Sequence, residues 1–132
     1  MLKKVLTFAS IVEVATGLAL LIAPRFVVGL LVGPNVPDQD IPMGRLPGIA
    51  ILALGLACWP GWTHAQSGSS AARGMLVYNL LTALFLVYMF RIGHLGGVLL
   101  WPAVVLHAVL TFLLAGAWRA AHQEGSRQAR SP

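Results

Sequence analysis

Glu13, Asn79 and His107 are the residues of this chain whose types and settings could do chemistry. Each stands inside a long apolar run, and each has a hydroxyl three or four positions further on, at Thr16, Thr82 and Thr111. On a helix that spacing puts both groups on one face. A carboxylic acid, a carboxamide and an imidazole arranged in this way can hydrogen-bond a ligand or pass a proton. Tyr78 adds a phenol beside Asn79, and Arg45 adds a fixed charge at the start of another apolar run. The five candidates for ligand binding or proton handling are therefore Glu13, Arg45, Tyr78, Asn79 and His107; none has the company a catalytic group needs. The Tyr88 hydroxyl suits a membrane interface better than a site.

Other chemistries fail for want of residues. A bis-histidine haem needs two histidines at membrane depth on facing helices, and His107 has no counterpart, because His94 lies between apolar runs. Zinc needs three or four clustered ligands, whereas His64, His94 and His122 are scattered along the chain. Cys58, the single cysteine, excludes an intrachain disulfide and reads as a small packed residue. No serine or cysteine nucleophile has an adjacent base, and no glycine-rich phosphate loop precedes a helix. A quinone remains compatible, held by His107 and Asn79 while Glu13 carries the proton.

The elements that must position these groups are membrane helices. The 132 residues suffice for one domain, and 58% are hydrophobic against 10% charged, with a mean hydropathy of +0.80. A soluble domain carries roughly 25% charged residues. The excess apolar surface has to face lipid. Four apolar runs predict an all-α, integral membrane four-helix bundle over 1–118, with spans at 5–23, 46–60, 74–90 and 97–118 and a polar tail at 119–132. Pro24 stops the first span, and Pro47 sits in the first turn of the second, where a missing N–H does no harm. The opening MLKKVLTFAS has the charge of a signal peptide, but the apolar run behind it reaches about 19 residues, a spanning length, so it reads as an uncleaved first helix.

Between the first two spans, 26–32 is apolar but too short to cross. It suits either a short helix at the membrane interface or a continuation of a kinked first span. The segment 33–42 holds three prolines and two aspartates and reads as an ordered turn-rich loop, and 66–70 as a plain flexible one. Gly44, Gly48, Ala53, Gly55 and Ala57 keep span two narrow, which lets backbones approach closely within the bundle.

The net charge of +5 does not indicate nucleic acid, because the basic residues stand singly or in pairs beside apolar runs. Such flanking cations contact lipid headgroups and set topology. With both termini on one side, that side carries Lys3, Lys4, Arg73, Arg119, Arg127 and Arg130, and the other Arg25, Arg45 and Arg91. This asymmetry predicts a multi-pass protein of the cell (inner) membrane with both termini in the cytoplasm. Trp59, Trp62 and Trp118 would then mark the inner interface and Trp101 the outer.

Helix rise sets the depths. Glu13 comes roughly 13 Å and His107 roughly 16 Å from the inner boundary, and Asn79 shallower at roughly 8 Å. Near the midplane an unpaired ionisable group costs at least a few kcal/mol. Glu13 and His107 are therefore expected to face the bundle interior within direct or water-mediated reach, as an ion pair or as neutral partners. Arg45 is expected to reach outer headgroups or the interior rather than lipid. A purely structural use is the bland alternative, since an interhelical polar bond contributes about 0.6–2 kcal/mol and specifies packing.

The first span ending Leu21-Ile22-Ala23-Pro24, the second opening Gly44-Arg45-Leu46-Pro47-Gly48-Ile49-Ala50 and closing in tryptophan, and the polar third and fourth spans together resemble the DoxX-like superfamily of small bacterial four-helix membrane proteins. The resemblance covers about 3–118. It implies the four-helix fold and a redox or quinone context, and it transfers no catalytic residue. Taken with the residues themselves, it leaves a non-enzymatic binding or accessory subunit with an intramembrane polar pocket as the first expectation. The alternatives are a quinone-linked redox component and a proton-coupled carrier, the latter short of spans unless it is a homo-oligomer or part of a larger membrane complex.

Overall fold

A computed structural model describes residues 1–33, 37, 42–60, 68–93 and 96–128. Among these, all regular structure is helical: α1 (Leu2–Ile22), α2 (Pro24–Val32), α3 (Arg45–Ala57), α4 (Gly68–Gly93) and α5 (Leu100–Gln128), with a single 3-10 turn at Pro42–Gly44 leading directly into α3. Three of the helices, α1, α4 and α5, are long and apolar enough to cross a membrane. α3 is apolar but has 13 residues, about 20 Å at 1.5 Å per residue. Trp59 precedes Pro60, a position that disfavours helix, and α3 ends just before it, at Ala57.

α1 ends at Ile22, and Ala23 leaves the helical conformation there (φ −133°, ψ 60°). Pro24 opens a new helix, its fixed φ suiting the first helical position. Residues 26–32 thus belong to a separate short helix and do not continue α1. α5 has no break at Trp118: the segment expected as a polar tail stays helical to Gln128. Likewise Gly68–Ser70, expected in a loop, form the first turn of α4; Gln66 and Ser67 lie outside the described residues, as do Trp62, His64, His94, Arg130 and most of the proline-rich loop at 33–42.

α1 is the hub. It packs on α3 along most of its length and also meets α2, α4 and α5, whereas α4 and α5 form a second close pair. The α1–α3 contact is a backbone contact. A Cβ on Gly17 would come 2.6 Å from the Leu52 nitrogen, one on Gly48 2.9 Å from the Leu20 Cβ, and one on Gly55 2.9 Å from the Val14 nitrogen. The pairing of Gly48 with Gly17 and Leu20, and of Gly55 with Ser10 and Val14, makes the two helices antiparallel. The narrowing expected of span two therefore serves the interior of the protein, with Gly17 as its partner on α1. Ala53 and Ala57 lie on the exposed side.

α2 is held at its C-terminal end, where helix carbonyls lack partners. The Gly97 N–H donates to the Leu31 carbonyl (3.0 Å) and the Leu99 N–H to the Leu30 carbonyl (2.9 Å). Gly97 is pressed so closely on Leu30 that a Cβ would overlap its carbonyl.

Candidate functional site

Leu6 and Ala9 of α1, Met75 of α4, Leu110 and Leu114 of α5 and Cys58, just beyond α3, form a buried apolar cluster. One turn further along α1 the same interior turns polar. Ser10, Glu13 and Asn79 are wholly buried and His107 nearly so, at 0%, 0%, 0% and 9% exposure. They are the polar side chains buried among the described residues. The three groups expected to converge do so.

Their hydrogen bonds fix chemical identities. Asn79 Nδ2 donates to the Met75 carbonyl on its own helix (2.8 Å), and Asn79 Oδ1 lies 2.8 Å from His107 Nδ1. A carbonyl only accepts, so the Asn79 atom facing Met75 must be its NH2, and the atom facing His107 its oxygen. That oxygen also only accepts, so His107 Nδ1 carries the hydrogen. In a neutral ring Nε2 is then the acceptor. The Glu13 carboxylate stands off: its Oε1 is 4.0 Å from His107 Nδ1. Both Glu13 oxygens and the Ser10 hydroxyl are buried without a hydrogen-bond partner among the described residues.

The hydroxyls divide sharply. Thr7 donates to the Lys3 carbonyl and Thr111 to the His107 carbonyl, each at 2.8 Å and four residues back, the usual local bond of a helical hydroxyl. Thr111 therefore supports the helix rather than the site. Ser10 makes no such bond. Tyr78 is half-buried, with its ring edge-on to His107 at 5.9 Å between centroids. Its hydroxyl interacts with Thr82 and approaches Glu13, yet it closes no hydrogen bond on the carboxylate.

Arg45 is apart from this group. It is exposed at the first residue of α3, and since Gly48 lies against Gly17 and Leu20, Arg45 belongs to the end of α1 beyond Leu20. Of its two expected destinations the bundle interior is excluded. Asn79 stands at the level of His107, to which it is hydrogen-bonded, where a shallower place was expected; α4 starts at Gly68, six residues before the expected start at 74. Two residues escaped the sequence reading, Ser10 and Gly17. The signal for Ser10 was its place one turn before Glu13; the signal for Gly17 was a small residue on the face that also carries Ser10 and Glu13.

No three of His, Cys, Asp and Glu cluster as a metal ligand set among the described residues. His122 is exposed and packs its ring on Trp118, 4.5 Å between centroids, well away from His107 along α5. The chain matches no protein-family model, no curated protein and no solved structure.

Proposed function

We propose that this chain is a non-enzymatic binding subunit of a bacterial inner membrane, and that its ligand site is the polar layer of Ser10, Glu13, Asn79 and His107. The observation that carries this reading is the Glu13 carboxylate, fully buried with neither oxygen in a closed hydrogen bond to a described residue, the Tyr78 hydroxyl alone approaching it. A side chain kept only to lock helices would use its hydrogen bonds, as the Asn79–His107 pair does. Glu13 contributes no such bond while still incurring the desolvation cost of a buried polar group. A ligand or proton supplies the missing partner.

The proposal includes four spans with both termini in the cytoplasm. Support comes from the basic asymmetry and from the 3-10 turn at Pro42–Gly44, which adds about 6 Å to α3 and brings the pair close to what a locally thinned bilayer accommodates. The exposed Arg45 then reaches the outer headgroups, and α2 lies at the interface. The small size and the likeness to the DoxX-like superfamily agree with an accessory role within a homo-oligomer or larger membrane complex. A quinone-linked role draws less support, since a quinone carbonyl needs donors, and the His107 Nδ1–H and one Asn79 N–H are already committed.

Native mass spectrometry from mild detergent tests the reading. The wild-type protein should carry a bound species that Glu13→Gln loses while its thermal stability stays nearly intact. If Glu13→Gln and the double variant Glu13→Gln, His107→Gln both keep all bound species and all stability, the polar layer is structural and the proposal fails.

A further inference from the structure

The polar layer has a composition of its own: its unused capacity is mostly acceptor, the Tyr78 hydroxyl near Glu13 and the Ser10 O–H being the donors beside it. The His107 Nδ1–H is taken by Asn79, one amide N–H of Asn79 by Met75, and the Thr111 hydroxyl by its own helix. The buried atoms left over are three oxygens, Glu13 Oε1, Glu13 Oε2 and Ser10 Oγ. Ser10 and Glu13 are three residues apart on α1 and share a face. That face continues into the apolar cluster through Leu6 and Ala9.

Resting on the binding role proposed above, we infer that the ligand is a small primary ammonium ion, R–NH3+, with its three N–H groups on the two Glu13 oxygens and the Ser10 hydroxyl and its apolar R group towards Leu6, Ala9 and Met75. An ammonium group has three donors and no acceptor, which matches three acceptors in number and one carboxylate in charge. A bare inorganic cation asks for about six oxygen ligands, twice what the layer leaves free. A neutral hydrogen-bonding ligand leaves Glu13 either charged and uncompensated at membrane depth or protonated and no longer offering two acceptors. α3 and α4 hardly touch, so parting them to admit a ligand disrupts little packing.

The test is calorimetric titration of the full chain in mild detergent with three probes that share a benzyl group: benzylammonium, benzyltrimethylammonium and N-benzylacetamide. Benzylammonium should bind saturably at one per chain, the trimethyl probe at least about tenfold more weakly for want of N–H donors, and the neutral amide not at all. Glu13→Gln should weaken benzylammonium roughly a hundredfold and Ser10→Ala roughly fivefold. Glu13→Asp, which keeps the charge, should retain measurable binding and shows that loss in Glu13→Gln is not loss of fold. Equal binding of the neutral amide, equal affinity in Glu13→Gln, or displacement of benzylammonium by sodium alone at matched concentration overturns the inference. If no probe binds while native mass spectrometry still shows a Glu13-dependent ligand, the ammonium class falls and the binding role stands; if neither appears, both fall.

Discussion

Asn79 Oδ1 and Glu13 Oε1 face the same nitrogen, His107 Nδ1, at 2.8 and 4.0 Å, and the amide is the one close enough to hold its hydrogen. The bond that ties α4 to α5 is thus fully formed, while the carboxylate contributed by α1 closes none with a described residue. On the proposed reading, helix pairing and ligand chemistry are handled by different members of one cluster.

This division predicts the outcome of a double-mutant cycle. Asn79→Ala and His107→Ala should show a coupling of about 0.6–2 kcal/mol in unfolding measured in detergent. Glu13→Ala with His107→Ala should show markedly less. Equal coupling in the two cycles contradicts the assignment of the His107 hydrogen to Asn79.

The glycine contact predicts steep position dependence. Gly17→Ala puts a methyl 2.6 Å from the Leu52 nitrogen, whereas Gly74→Ala and Gly116→Ala meet nothing within 4 Å. Gly17→Ala should therefore destabilise the protein by about 1–3 kcal/mol, as overpacking does. Gly74→Ala and Gly116→Ala should be neutral or slightly stabilising, since alanine favours helix. Thermal unfolding of the three variants side by side distinguishes these outcomes.

Topology is testable at three points. Reporter fusions after Gln39, after Ser67 and after Pro132 should read outside, inside and inside. The Ser67 fusion is the discriminating one. If it reads the same side as Gln39, α3 does not cross, and the termini lie on opposite sides.

Cys58 is 4% exposed and directs its thiol at the Ala71 carbonyl, 3.6 Å away. As the single cysteine it reports on where α3 ends against α4. Maleimide labelling in mild detergent should be slow, and should accelerate when heat or a harsher detergent separates those helices. Rapid labelling of the folded protein contradicts the burial.

Much of the site was legible because depth along a helix is arithmetic. Glu13 and His107 were matched in level from residue counts alone, and they meet. The start of α4 was not legible because Gly68, Ser69 and Ser70 have loop-like composition, and the level of Asn79 was not because a residue count gives a depth only from an assumed boundary. Ser10 was overlooked because a serine on a helix is ordinarily absorbed by its own backbone; only the unmade bond reveals it. Gly17 was not legible because a close approach needs a small residue on each side, and a lone glycine on α1 does not show in the sequence which helix it meets. That α3 is too short for an unassisted span was hidden by Trp59 and Pro60, which extend the apolar run in composition but not the helix.

The end of α2 has a consequence for how the protein is made. Its Leu30 and Leu31 carbonyls are satisfied by the N–H groups of Leu99 and Gly97, which leave the ribosome only after α3 and α4 have been synthesised. Until then those carbonyls need water, so on the proposed topology the nascent α2 waits at the wet boundary of the bilayer while the later helices are inserted, and its seating comes late. A chain in which Gly97 carries a side chain should insert normally yet stall one step before completion, exposing residues 24–32 to protease while its long helices are already protected.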